Sequence, residues 1–341
     1  MDPSIDRLGR ALSSLRISVT DRCNLRCAYC MPEEEYKWLP RDRLLRFDEI
    51  ARLVDVFTSL GVHKVRLTGG EPLLRPELAS LVRLLAAKPA LRELALTTNG
   101  VLLAEQASAL RDAGLGRVTV SLDTLREDVF QSLTRRPGLE RVLHGIETAT
   151  RLWPGAVKLD MVVMRDVNER EIPALFEFAR AQGAELRFIE YMDVGGATRW
   201  NERTVVSRQE ILERMQRAFG AIEAVDEDST APAERFRAAD GTLFGIIAST
   251  TTPFCRRCDR ARLTADGMWY LCLYARLGLD LRELARGSAS DDEIARRIAA
   301  SWSARQERGA ELRLEELRRG PLVAVEDLRT DPHLEMHTRG G

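Results

Sequence analysis

The chain has no long apolar run. Its longest unbroken stretches, such as LFGIIA (243–248), fall far short of the roughly 20 residues that span a bilayer. The opening residues, MDPSIDRLGRALSS, lack the apolar centre of a secretory signal, so a cytosolic (cytoplasmic) protein with no membrane partner is expected. A formal net charge of −1 over 341 residues leaves no broad basic footprint for nucleic acid. No G-x-x-x-x-G-K-[ST] loop is present, so a phosphate-bearing ligand has to be met by side chains. Lysine is scarce: Lys37, Lys64, Lys88 and Lys158 are the four among 51 basic residues. Cysteines number six and histidines four. Disulfides are not expected in a reducing compartment, and buried structural cysteines would scatter along apolar faces. These six fall instead into two groups of three: Cys23, Cys27 and Cys30, then Cys255, Cys258 and Cys272.

Charged residues at 30% and apolar residues at 45% are an ordinary globular balance, sufficient for one large domain or two smaller ones. Short β-branched runs alternate with longer helical patterns. Strands are predicted at 15–20, 64–69, 93–98, 117–122, 157–163 and 185–191. Between the first two, FDEIARLVDVFTSLG reads as a helix with Asp48 as N-cap and Gly61 as its stop. The segments before Gly114 and Gly183 repeat that pattern. Six strand–helix units imply a parallel sheet. The expected class is α/β, as an open partial (β/α)6 barrel, with an open doubly wound sheet as the competing architecture. Past a soft boundary near residue 220 the rhythm changes. ERFRAADGTLFGIIAST and ARLTADGMWYLCLY read as hairpins with D-G turns, and SDDE (290–293) as a capping box. The expected division is a barrel domain over 1–220 and a C-terminal region over 221–341.

Cys23-x3-Cys27-x2-Cys30 directly follows the first strand. A [4Fe–4S] cube has four irons, each needing an outside ligand; three thiolates leave one iron open to a small molecule. Zinc is the alternative, but a structural zinc takes four protein ligands, and the nearest histidine, His63, is far along the chain. The second trio, Cys255-x2-Cys258-x13-Cys272, also leaves an iron free, or else suits a zinc ribbon completed by His333 or His337.

CNLRCAYC with TGGEP after the next strand resembles the radical S-adenosylmethionine (SAM) superfamily. RISVTDRCNLRCAYCMP, LTGGEPLLR, TTNG, SLDT, RFIEYMDVG, TPFCRRCDRARLTADGMWYLCLY and a terminal Gly-Gly, in that order, resemble the GTP 3′,8-cyclase family, which opens molybdenum cofactor biosynthesis. The likeness runs from Arg16 to Gly341. It implies two [4Fe–4S] clusters, with Cys23, Cys27 and Cys30 as the catalytic set and the second trio as an auxiliary site in the C-terminal region. It implies SAM contacts at Tyr29, Gly70, Ser121 and Met192. It further implies that a 5′-deoxyadenosyl radical takes hydrogen from C3′ of GTP, that C3′ bonds to guanine C8, and that the product is (8S)-3′,8-cyclo-7,8-dihydroguanosine 5′-triphosphate. An external electron donor and a homodimer are implied as partners.

GTP brings about four negative charges, and arginine forks suit phosphate oxygens. Arg260 and Arg262, two apart on an extended segment, face the same side; a solvated basic strand is the alternative. Lys158 sits in a strand of a chain that otherwise uses arginine, either as a ligand contact or as a snorkelling edge residue. The resemblance places GTP contacts on Arg16, Arg66, Thr97, Lys158, Arg260, Ala261 and Arg262. The chain departs from the family pattern at Asp259 and Asp160, where asparagine is commoner. The terminal Gly340 and Gly341 are expected to reach towards the active site, with Arg339 approaching the nucleotide or a carboxylate. Two other readings are a radical SAM enzyme acting on a peptide and a non-catalytic zinc or iron–sulfur scaffold.

Overall fold

The computed structural model describes residues 4–226, 230–317 and 319–340. All six predicted strands form: β1 (Ser14–Ser18), β2 (Lys64–Thr68), β3 (Glu93–Thr98), β4 (Arg117–Ser121), β5 (Val157–Val163) and β6 (Glu185–Glu190). They lie side by side in chain order, each parallel to the next. The crossovers carry α1 (Phe47–Ser59), α2 (Leu78–Ala86), α3 (Leu103–Asp112), α4 (Glu127–Thr134), α5 (Leu139–Leu152) and α6 (Ile172–Ala181), and α7 (Arg208–Phe219) follows β6.

The alternation of each strand sorts its side chains. On β1, Leu15 and Ile17 are wholly buried in the core, while Arg16 between them points to the other face. Val65, Leu67, Leu96, Val118, Val120, Leu159 and Met161 continue the apolar layer under the helices. Each such side chain contributes roughly 1.5–3 kcal/mol on burial. Gly61 and Gly183 end their helices at φ +107° and +67°, conformations that other residues reach only with strain. The start of α1 differs from expectation. Asp48 does not cap it; the helix begins at Phe47, and the Glu49 carboxylate accepts the Arg46 amide at 2.7 Å. Asp48 lies in the first turn, where negative charge suits the exposed amides.

The C-terminal region adds β7 (Ile222–Val225), β8 (Glu234–Ala238), β9 (Leu243–Ile247), β10 (Arg260–Leu263), β11 (Met268–Tyr270) and β12 (Leu279–Asp280). Both D-G hairpins form, as β8–β9 and β10–β11. These strands extend the first sheet at both edges: β9 joins β6 and β10 joins β1, each in parallel. The result is one open twelve-stranded sheet, ordered β12-β11-β10-β1-β2-β3-β4-β5-β6-β9-β8-β7. Residues from β10 at one side and β8 at the other line one cavity, so the sheet curls around it. The remaining helices are α8 (Leu281–Arg286), α9 (Asp291–Ser303), α10 (Gly309–Arg313) and α11 (Val325–Thr330); Ser290 caps α9 by accepting the Glu293 amide. No helix of the described residues is long and apolar enough to cross a membrane.

Candidate active site

Cys23, Cys27 and Cys30 occupy the loop leaving β1, at the C-terminal end of the strands, where parallel sheets place their chemistry. The loop hangs on α4 through Arg26 N to Thr134 O (2.9 Å) and Ala28 N to Leu133 O (2.8 Å). Cys27 O accepts from Cys30 N at 3.0 Å, turning the third thiol back on the second. The paired glycines after β2 pack backbone to backbone against this loop. Gly70 N donates to Thr20 O at 2.8 Å, and a Cβ on Gly70 would lie 2.4 Å from Arg22 O. No other residue fits there. Asn99 Nδ2 bridges Asn24 Oδ1 (2.8 Å) and Cys23 Sγ (3.9 Å).

Burial pushes all three thiols up, and the neighbouring acids and thiols add to it: Cys23 to about 11 beside Glu71, and Cys27 and Cys30 beside Cys23. Burial also raises Glu71 to about 7 and Asp123 to about 6. Glu71 accepts from Thr98 Oγ1 (2.6 Å) and Asn99 N (2.7 Å); Asp123 accepts from Tyr29 Oη (2.7 Å) and Val162 N (2.9 Å). A buried set of mutually repelling thiolates requires a cationic group to bind. Among the described residues, no three Cys, His, Asp or Glu side chains converge closely enough for a single metal ion. An iron–sulfur cube carries its thiolates further apart, one per corner, and this donor set fits it.

The thiols border a cavity of about 150 Å³, with Gly70, Ser121 and His337 also on its wall. Tyr29, Thr97, Ser121, Asp123 and Met336 line both it and a larger neighbouring cavity of about 490 Å³. The larger one also receives Arg16, Arg66, Lys158, Met192, Arg260, Arg262 and all three cysteines of the second trio. The pairing register explains the convergence. Arg16 stands beside Arg66 on one side and Arg262 on the other.

Among the described residues, nine basic and six acidic side chains line this cavity, an excess of three positive charges (9 − 6). Burial, then the neighbouring guanidiniums, holds Arg16 and Arg66 well below the usual arginine range and draws Arg262 down to about 9. Buried cations that repel one another make an anion site. Lys158 is lowered by burial although Glu185 pairs with it at 2.6 Å. Ala261 lies elsewhere: its side chain is in the apolar core, and it does not line the cavity that Arg260 and Arg262 enter. Asp259, the departure from the family pattern, is buried and accepts from Ser13 Oγ (2.5 Å) and Thr230 Oγ1 (2.8 Å).

Cys255 and Cys258 flank a single helical turn, and Cys272 follows β11. Burial works against ionisation of Cys258, but Arg260 and Arg305 outweigh it and bring the thiol down to about 7. Gly309 leaves space here: a Cβ on it would lie 2.4 Å from Tyr274 Cβ and 3.3 Å from Cys272 Sγ. Neither histidine completes a zinc site with this trio. His333 is held by Asp266 (2.9 Å) and Asp331 (3.1 Å), and His337 borders the first trio's cavity.

The tail turns inward. Gly340 O accepts from Arg16 Nη1 (3.2 Å) and Arg262 Nη1 (3.0 Å), and a Cβ on Gly340 would lie 2.0 Å from Thr68 Oγ1. Gly341 lies outside the described residues. Arg339 does not face the nucleotide space. Its guanidinium donates to His333 O, Leu273 O (2.8 Å) and Ala275 O (2.6 Å) and stacks over Tyr270, so backbone carbonyls take up its donors.

Asn99, Asp123, Arg117 and Arg187 also line these cavities and Glu71 acts electrostatically on Cys23, none of them assigned a role from the sequence. Strand alternation carried a signal for Arg117 and Arg187, whose positions share the inward face with Arg16 and Arg66. TGGEP and TTNG held Glu71 and Asn99 in view as motifs only.

Residues 17–179 match the Radical SAM superfamily, and residues 184–311 match Molybdenum Cofactor Synthesis C. Fold and cysteine loop together define a radical SAM protein, and that class brings a [4Fe–4S] cluster and SAM. GTP 3′,8-cyclase 1 of Mycobacterium tuberculosis (strain CDC 1551 / Oshkosh) is 52% identical over 340 residues, covering 98% of this chain and 95% of the relative. GTP 3′,8-cyclase of Acidothermus cellulolyticus is 48% identical over 322 residues, 91% of this chain and 89% of its own. This chain belongs to the GTP 3′,8-cyclase family. Among solved structures, SuiB of Streptococcus suis bound to S-adenosylmethionine superposes with a TM-score of 0.58 at 15% identity, over 80% of this chain and 64% of SuiB. This chain therefore spans less than two thirds of SuiB, and the likeness speaks for the fold.

Proposed function

We propose that this chain catalyses the reaction for which its relatives are named, the 3′,8-cyclisation of GTP that begins molybdenum cofactor biosynthesis. The observation that carries the reading is the meeting of two cysteine trios on adjoining cavities with an arginine-rich wall between them. Cys23, Cys27 and Cys30 would hold one [4Fe–4S] cluster, which when bound would supply the electron for reductive cleavage of SAM, and Cys255, Cys258 and Cys272 would hold a second. Tyr29, Gly70, Ser121 and Met192 surround SAM.

The remaining work belongs to the protein's own side chains. Arg16, Arg66, Arg260 and Arg262 meet the triphosphate with charge-assisted forks, and Lys158 adds a point charge beside them. Thr97 and the backbone at Ala261 fix the orientation of the nucleotide. Holding the ribose beside SAM and the base beside the second trio turns an encounter into a fixed geometry, an effect worth roughly 7–11 kcal/mol at best. The curled sheet and the inward tail keep water and stray hydrogen donors from the reacting carbon. The second copy of the chain and the external electron donor belong to the same proposal.

Anaerobic incubation with SAM, reductant and each nucleoside triphosphate in turn, with mass spectrometry of the products, tests this reading. A GTP isomer appearing together with 5′-deoxyadenosine is expected. Release of 5′-deoxyadenosine with no nucleotide product from any of the four triphosphates would overturn it.

A further inference from the structure

The segment before β1 makes no part of either cavity, yet its charges are buried. Asp6 and Arg10 are each 5% exposed, on a turn closed by a bridge between Ile5 and Ala11. Asp6 Oδ1 accepts the amides of Leu8 and Arg10, both at 2.9 Å, and Oδ2 accepts Arg10 Nε at 2.6 Å. That orients the other end of the guanidinium outward: Arg10 Nη1 donates to the carbonyl of Cys255 at 2.8 Å and of Glu307 at 3.0 Å.

A second arginine arrives from the far end of the chain. Arg305, 2% exposed just after α9, donates from Nη1 to the carbonyl of Cys258 at 2.9 Å. The same nitrogen lies 3.6 Å from Asp6 Oδ2. Trp302 closes the ring: it stacks under the Arg305 guanidinium at 4.3 Å and donates from Nε1 to Arg10 O at 3.0 Å. One carboxylate thus anchors two guanidiniums, and each grips the carbonyl of one cysteine of the second trio. The group carries one net positive charge (+2 − 1). Arg10 Nη2 and Arg305 Nε are buried with no hydrogen-bond partner, so the charge is not quenched by further acceptors.

We infer that Asp6, Arg10 and Arg305 form a clasp that positions Cys255 and Cys258 for their cluster and holds a fixed positive charge behind it; this rests on reading the second trio as cluster ligands. Two carbonyls of one short turn are pinned from outside, so the thiols stay aimed when an anionic cluster is bound or lost. A positive charge behind the cluster also favours its added electron. All three are positioning residues: the two arginines touch the cysteine backbone, Asp6 holds the arginines, and none of them lines the cavities.

The test uses the full-length chain, reconstituted anaerobically with iron and sulfide. R10Q, R305Q and R305K are compared with wild type and with C258A. Three quantities are read: iron per chain, the rate of iron release to a chelator, and the midpoint potential of the second cluster by EPR titration. In R10Q and R305Q, the second trio's share of iron should leave about tenfold faster than in wild type, the scale set by a lost charge-assisted hydrogen bond. The second cluster's potential should fall in both, with the first cluster's iron and potential unchanged. R305K keeps the charge but not the fork, so the potential should recover while release stays fast. Wild-type release and potential in R10Q and R305Q, with C258A short of about four irons, would overturn the clasp alone. Full iron in C258A would instead overturn the cluster reading beneath it. If R305Q does not accumulate, R305K decides: wild-type release there also overturns the clasp.

Discussion

The two cysteine trios line adjoining cavities and differ in their electrical surroundings. The first is gathered by one loop; burial holds its thiols well above their ordinary values, and the acids Glu71, beside Cys23, and Asp123, beside Cys27, add to it. The second is assembled from two segments; Arg260 and Arg305 bring Cys258 down to about 7 against its burial, while burial keeps Cys255 raised. Negative surroundings suit a cationic sulfonium and make an added electron costlier, hence more strongly reducing. Positive surroundings suit a triphosphate. The contrast teaches that the cavity is polarised along its length, with a separate ligand charge matched to each end.

The sharpest break of that comparison is a cysteine removed from either end. Cys27→Ala should abolish release of 5′-deoxyadenosine altogether. Cys258→Ala should leave SAM cleavage running in uncoupled form while the cyclised nucleotide disappears, both followed by chromatography of the two products. Equal losses in the two variants would erase the division of labour between the trios.

Next in size is the tail. Gly340 already occupies the point where Arg16 and Arg262 meet, so its carbonyl is part of the anion end. Deleting Gly340 and Gly341 should suppress cyclisation while iron and sulfide content stay at the wild-type level. A C-terminal extension should act in the same direction. Wild-type turnover in the truncated chain would show that the tail only fills space.

A smaller effect separates the cations within the anion end. Arg262→Ala should weaken GTP binding about tenfold or more and flatten its salt dependence, as expected for a lost charge-assisted contact. Lys158→Ala should cost less, because Glu185 already neutralises part of that charge at 2.6 Å. Calorimetric titration at two salt concentrations reads both. An equal or reversed order would place the triphosphate nearer β5 than β10.

Much of this was legible in the sequence, for local reasons. The six parallel strands each carry a short apolar alternation bounded by a stop, and the two D-G hairpins carry their own turn chemistry. The cysteine spacing named the chemistry of the loop after β1. What was illegible is non-local. Nothing in LFGII or RARL states that β9 and β10 attach to opposite edges of one sheet, and that attachment closes the cavity. Arg339, expected to approach the nucleotide or a carboxylate, is held by the backbone carbonyls of His333, Leu273 and Ala275. Asp6 and Arg10 carry no motif, and only burial against α9 and the Cys255 turn gives them a role.

The smallest predicted effect concerns the acidic end alone. Glu71 and Asp123 have folded-state values raised to about 7 and about 6, chiefly by burial. Each binds its proton more tightly folded than unfolded, as does Glu335 at about 7. The three outweigh buried His337, drawn down to about 3, so iron-free protein should gain stability as pH falls from about 7 towards about 4.5 and lose it as pH rises. A thermal midpoint a few degrees higher at pH 5.5 than at pH 8 is expected, with Glu71→Gln flattening the upper part of the profile. A midpoint that rises with pH would remove the acid environment assigned to the first trio.

The most direct test of the polarised cavity is isotopic. GTP carrying deuterium at C3′ is incubated anaerobically with SAM, reductant and the reconstituted protein, and the released 5′-deoxyadenosine is weighed by mass spectrometry. If the ribose is held at the acidic end and the base at the basic end, one deuterium per turnover appears in 5′-deoxyadenosine and none remains at C3′ of the product. Unlabelled 5′-deoxyadenosine released alongside a modified nucleotide would contradict the account, because the hydrogen would then have come from somewhere else.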